Sequence, residues 1–123
     1  MNKGFESWRD LLVWQKAHEG VLHVYRVTKS FPPDERFRLV DQLCRAAASV
    51  STNIAEGKGR ASAAEFRQFL IIARGSTEET RYLLLLAKDL GYVTVGEHAT
   101  LEAQYTEVSK MLNALLRTLR QSP

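Results

Sequence analysis

Arg60, Arg67, Arg74, Arg81 and Lys88 recur every seven residues. Seven residues are nearly two turns of an α-helix, so these bases would form one slowly drifting stripe, with rungs roughly 10.5 Å apart by helix rise. A row of cations can follow a polyanion, and the guanidinium fork suits phosphate oxygens. Arg38 and Arg45 repeat the spacing upstream, and Lys58 stands beside the first rung. Arg38, Arg45, Lys58, Arg60, Arg67 and Arg74 are therefore the candidate contacts to an RNA or DNA backbone. A plainer role stays open. Glu78 lies four residues after Arg74 and three before Arg81, so local ion pairs could absorb part of the charge and leave a solvated face. Few aromatics are placed for base stacking, so backbone contact without sequence reading is the expected mode.

Other chemistries fail on spacing. The histidines are His18, His23 and His98, and the first two, five residues apart, do not share a helix face. A carboxylate-bridged di-iron bundle needs Glu-x-x-His on two helices, and no glutamate here has a histidine three residues on. Gly57-Lys58-Gly59-Arg60 lacks the spacing of a phosphate-binding loop, and no strand precedes it. Cys44 reads as a small hydrophobe rather than a nucleophile, and the adjacent Glu78 and Glu79 point in different directions. The expectation is a protein with no metal, no cofactor and no catalytic residues.

These residues must be carried by helices. The prolines are Pro32, Pro33 and Pro123, so none interrupts a helix interior, and glycines punctuate the chain at Gly57, Gly59 and Gly91. The first helix is predicted from about 8 to 29, behind a capping-box-like Ser7 and Asp10, with Leu11, Trp14, Ala17, Val21, Val24 and Tyr25 on one face. The second is predicted from about 33 to 56. Pro33 suits its first turn, Phe37, Val40, Leu43, Ala47, Val50 and Ile54 form its stripe, and Gly57 is its left-handed end. The third is predicted from about 63 to 90, capped by Ser62 with Glu65 and ended by Gly91; the fourth, from about 95 to 120, is capped by Thr94 with Glu97. Long helices with short connections pack antiparallel, so the expected fold is all-α: one domain over 1–123, an antiparallel up-down-up-down four-helix bundle. Gly20 and Gly75, costly inside helices, would be explained by close helix–helix contact.

The 123 residues suffice for one core, and the net charge of +3 permits an anionic partner without demanding one. That charge is uneven: Arg36 to Arg60 carries five bases against two acids, and the later segments balance. There is no apolar leader near Met1, no run of ~18 apolar residues and only one cysteine, which points to a soluble cytoplasmic protein away from membranes.

Leu83, Leu84, Leu85 and Leu86 stand consecutively on the third helix, where successive side chains turn by ~100° and together cover most of the circumference. A bundle helix normally buries one face, so the surplus is expected to be covered by another subunit, with these leucines in a homo-oligomer interface. Gln42, Ser49, Asn53 and Glu56 make a polar strip that could hydrogen-bond across such an interface or meet water.

Three segments carry a resemblance: Asp10-Leu11-Leu12-Val13-Trp14-Gln15-Lys16-Ala17, Asn53-Ile54-Ala55-Glu56-Gly57, and Phe69-Leu70-Ile71-Ile72-Ala73-Arg74-Gly75-Ser76. In this order they resemble the 23S rRNA intervening sequence protein family, small bacterial four-helix bundles of which some are encoded within intervening sequences of large-subunit ribosomal RNA genes. The chain is also similar to the accessory protein of diversity-generating retroelements. The resemblance implies a non-enzymatic homopentamer of antiparallel bundles. The retroelement relative contacts nucleic acid and a reverse transcriptase through a basic surface, and the role of most members is unknown. Where the family often has two adjacent arginines, this chain has Cys44-Arg45, which would weaken binding of an anion that needs both. The expected function is a homopentameric bundle that contacts RNA or DNA backbone. The alternative is an adaptor for a protein encoded nearby, or a structural oligomer with no nucleic-acid role.

Overall fold

A computed structural model describes residues 7–120. It contains four α-helices: α1 (Leu12–Thr28), α2 (Leu39–Lys58), α3 (Ala63–Asp89) and α4 (Val95–Arg120), with no strand among the described residues. Two of the four N-termini follow the capping chemistry of the sequence. At α3 the Ser62 hydroxyl oxygen accepts from the Glu65 N–H at 3.1 Å and donates back to the Glu65 carboxylate at 3.2 Å. At α4 the capping box is complete: the Glu97 N–H donates to Thr94 Oγ1 at 3.0 Å, and the Thr94 N–H donates to the Glu97 carboxylate at 2.9 Å. Gly91, at φ +82°, ends α3, with its own N–H on Lys88 O and that of Tyr92 on Ala87 O, both at 2.9 Å.

The other two starts differ from the sequence expectation. Trp8–Asp10 is a separate 3-10 turn, Leu11 is extended, and α1 begins only at Leu12. Ser7 caps that short turn by accepting from Arg9 N–H rather than opening α1. The cause is aromatic packing: Trp8 meets Trp14 edge-on, with ring centroids 4.7 Å apart. Six residues apart on an unbroken helix, the two rings would point about 120° apart and could not touch. Pro33–Glu35 is likewise a lone 3-10 turn, and α2 begins at Leu39 after a break at Arg38 (φ −118°, ψ −101°). Here the Glu35 side chain turns inward, accepting from the Tyr92 hydroxyl at 2.8 Å and from the Leu39 N–H at 3.4 Å. Phe37, expected in the core stripe, is carried outward on this break and is 82% exposed. Gly57 does not end α2. It lies inside the helix, where a Cβ would come within 2.7 Å of Phe69 Cβ, and the helix closes at Gly59 with ordinary right-handed backbone.

Each helix packs on two others in the order α1, α2, α3, α4, closing from α4 back to α1. Residue pairs across the seams run in opposite directions. Lys16 with Glu107 and His23 with Gln104 join α1 to α4, and Arg74 with Asn113 and Arg81 with Glu102 join α3 to α4. Val24, Leu43, Ile54, Leu70, Leu84, Tyr105 and Leu112 fill the centre. The expected close approach at Gly20 is present: a Cβ there would fall 2.7 Å from both Cζ and Oη of the buried Tyr105. At Gly75 the expectation fails, because a Cβ would meet nothing within 4 Å.

Candidate nucleic-acid interface

The seven-residue spacing sets Arg67, Arg74 and Arg81 along the edge of α3 that borders α4. Arg74 Nη1 donates to Asn113 Oδ1 of α4 at 3.2 Å. Arg81 is spent: Nε and Nη2 donate to the two Glu102 oxygens at 3.0 and 3.2 Å, and Nη1 reaches Glu78. These bonds hold the Glu102 carboxyl below its ordinary range and push the Arg81 guanidinium above its own. Local pairing thus removes the fourth rung, and most of that pairing comes from α4 rather than from Glu78 alone. Arg67 and Arg74 have no ion pair among the described residues, and Arg67 Nε is shielded from solvent with no hydrogen-bond partner.

The remaining candidates do not join them. Ser49 of α2 and Ser76 of α3 share a hydrogen bond at 2.8 Å, which fixes the edge of α3 that faces α2. Arg74, two residues earlier, points about 160° away from Ser76. Arg38 and Arg45 therefore lie across α3 from Arg67 and Arg74. They are exposed but engaged, Arg38 with Glu35 at 3.8 Å and Arg45 with Asp41 at 3.0 Å. Arg60 pairs with Glu56 at 3.8 Å and lies over the Phe69 ring, 4.7 Å from its centroid. Lys58 is half-buried at the end of α2. Half of the polar strip of α2 is used inside the chain: Asn53 Nδ2 donates to Ser49 O at 2.8 Å and Ser49 meets Ser76, whereas Gln42 and Glu56 are exposed.

Two residues of this seam were not among the sequence candidates. Arg117 and Arg120 follow Asn113 by four and seven residues, so they share the α4 face that meets Arg74. Both are exposed. Their spacing was visible in the sequence, but the α3 residue opposite Asn113 was not.

The leucine run divides. Leu83 and Leu84, 3% and 1% exposed, belong to the chain's own core and cannot also form a subunit interface. α3 rotates that half of the run between α2 and α4. Leu85 is 41% exposed and Leu86 half-buried. Tyr82 follows Gly75 by two turns and Leu86 by one turn more, which aligns these three on the outward face of α3 beside the exposed Ile72.

The remaining reactive groups are occupied by packing. His18 stacks on Trp14, with centroids 4.9 Å apart and planes 8° from parallel, and His23 Nδ1 meets Gln104 Oε1 at 2.9 Å. Burial pushes the Cys44 thiol up, so it stays protonated beside the Thr28 hydroxyl at 3.8 Å. No cluster of metal-binding side chains occurs among the described residues, and no helix among them is long and apolar enough to cross a membrane.

The sequence profile of the family described as 23S rRNA-intervening sequence protein matches residues 9–114. No curated protein matches the chain by sequence. Among solved structures, the crystal structure of a protein of unknown function from the S23 ribosomal protein family of Bacteroides thetaiotaomicron superposes with a TM-score of 0.79 at 26% identity, covering 85% of this chain and 98% of that one.

Proposed function

Because the chain belongs to the 23S rRNA-intervening sequence protein family, we propose that it is a non-enzymatic, homo-oligomeric bundle that contacts the backbone of RNA or DNA through basic surface on α3. The observation that carries this reading is the pair Arg67 and Arg74, two guanidinium groups on one helix edge with no carboxylate partner among the described residues. A closed ring of five cytoplasmic subunits is the proposed assembly. Closure is required because a head-to-tail contact that does not close builds filaments. The apolar part of the contact is Leu85 and Leu86 with Tyr82 and Ile72, since Leu83 and Leu84 are consumed by the core. A ring repeats each arginine pair by symmetry, so weak contacts add through multivalency.

Binding is tested by gel retardation of generic RNA and DNA. If about four phosphates are neutralised, affinity falls ~100-fold between 50 and 200 mM salt. Replacing Arg67 and Arg74 together by glutamate weakens binding to all sequences alike and leaves helicity and mass unchanged. Equal binding by parent and variant would remove these arginines from the interface, and no retardation of any nucleic acid at low salt would end the reading. Light scattering gives the subunit count, and a monomer mass at micromolar concentration refutes the ring. The second reading, an adaptor for a protein partner, draws on the exposed Phe37 and Tyr82, 82% and 60% accessible, because aromatic residues are enriched at protein interfaces.

A further inference from the structure

The α3–α4 seam has two chemically different halves. Toward the C-terminus of α3, Arg81 is bound by Glu102 and Glu78, and Ser109 donates to Glu78 at 3.4 Å. Toward the N-terminus of α3 no such pairing occurs among the described residues. The antiparallel register that sets Arg74 against Asn113 and Glu78 against Ser109 places Arg67 level with Arg120, and Arg117 between the two α3 arginines. From Asn113 to Arg120, α4 has no acidic residue. From Ala63 to Arg74, α3 has only Glu65, which is held by the Ser62 cap. Arg67 Nε is shielded from solvent without a partner, so the half-buried Arg67 side chain is held against the bundle, and no carboxylate among the described residues pairs with it.

We infer that Arg117 and Arg120 of α4 join Arg67 and Arg74 of α3 in one anion groove that takes successive phosphates of a nucleic-acid backbone. The inference rests on the proposed function and locates its contact, extending it from α3 onto α4, on the side of α3 away from Arg38 and Arg45. Phosphodiester fits better than an acidic peptide. The α4 wall offers arginines and the Asn113 amide, whereas the exposed aromatic anchors a peptide would use, Phe37 and Tyr82, lie outside this half of the seam. Arg117 and Arg120 also answer the negative end of the α4 dipole, but that duty requires no facing arginines on α3.

The test uses the full chain, a fluorescent unstructured RNA of about 20 nucleotides and a DNA duplex of matched length, followed by anisotropy at about 50 mM salt and above. Arg117→Gln with Arg120→Gln should weaken both complexes by about tenfold and flatten the salt slope by nearly two units for the duplex and by about 1.4 for the single-stranded RNA, at ~0.9 and ~0.7 per lost phosphate contact. Arg38→Gln with Arg45→Gln should change affinity by less than about twofold, because both side chains lie on the α2 side of α3, across the helix from the groove. In the unmodified protein, bound RNA should shield Arg117 and Arg120 from phenylglyoxal, read by mass spectrometry; this measurement does not depend on a variant folding. Unchanged binding by the α4 variant, or no shielding under saturating RNA, would overturn the groove while leaving nucleic-acid binding in place. Polyglutamate that competes as well as RNA at equal charge would overturn the phosphate assignment. A parent that binds neither probe would overturn the groove together with the function beneath it.

Discussion

The substitution of glycine by alanine should have opposite effects at two helix-interior positions of this chain. An alanine inside a helix is favoured over glycine by about 1 kcal/mol through backbone entropy. At Gly75 nothing of the same chain lies within 4 Å of the new methyl, so Gly75→Ala should stabilise the isolated subunit by roughly that amount. At Gly20 the methyl would fall 2.7 Å from Cζ and Oη of Tyr105, whose ring is fully buried between α1 and the core. A ring enclosed on all sides cannot swing away, so the clash belongs at the upper part of the ~1–3 kcal/mol range for overpacking. Subtracting the helical gain leaves a net loss of about 1–2 kcal/mol. The Tyr105 hydroxyl has no hydrogen-bond partner among the described residues. Tyr105→Phe should therefore be neutral or stabilising, and in that background Gly20→Ala should cost less, with a coupling of at least ~0.5 kcal/mol. Urea titrations at one fixed protein concentration measure all four states, and a chain of this size should shift in Tm by roughly 4 °C per kcal/mol. A Gly20→Ala variant as stable as the parent would refute the packing argument. A loss at Gly75 that appears only at concentrations where the protein assembles would support the subunit contact proposed for that face, and a loss in the isolated subunit would refute the open space seen there.

The leucine run offers a similar contrast: Leu83→Ala should cost about 2–5 kcal/mol by opening a core cavity, while Leu85→Ala should leave monomer stability within about 0.5 kcal/mol and lower only the oligomer mass, as chemical denaturation and light scattering can check. Ser62→Ala and Thr94→Ala should each cost about 1 kcal/mol, because each removes an oxygen that accepts a first-turn N–H; equal melting of parent and variants would show those caps to be idle. Stability should fall in acid. The Tyr92 hydroxyl, the Leu39 N–H and Arg38 hold the Glu35 carboxyl below its ordinary value, so the folded state binds fewer protons than the unfolded one. That contribution is whole above the ordinary carboxylate range, is lost as pH drops through the lowered value, and should shrink in Tyr92→Phe when melting is followed from pH 6 to 3.

Local chemistry was legible in the sequence wherever it was completed locally. Ser62 with Glu65, Thr94 with Glu97, and Gly91 each settle a helix end within a few residues, and α3 and α4 begin where these signals put them. The two misplaced starts were decided at longer range. Trp14 draws Trp8 out of α1, and Tyr92, 57 residues further on, draws Glu35 inward and delays α2 to Leu39. Tyr92 is absent from the segment it reshapes, and Trp14, six residues from Trp8, can meet it only once the helix between them is broken. The arginine stripe shows the same limit in chemical form. Its period could be read directly, but a period assigns residues to one edge of one helix and says nothing of the helix alongside. Glu102 turns Arg81 into a structural ion pair, whereas Asn113 leaves the charge of Arg74 unneutralised, and both assignments belong to α4. The leucine run failed for the complementary reason: four consecutive apolar residues point all around a helix, so their pattern carries no phase. Only the flanking α2 and α4 choose Leu83 and Leu84 for the core and release Leu85. A candidate surface on a bundle is therefore a property of a seam, and the α4 face carrying Asn113, Arg117 and Arg120 decides which of the α3 cations remain free to meet an anion.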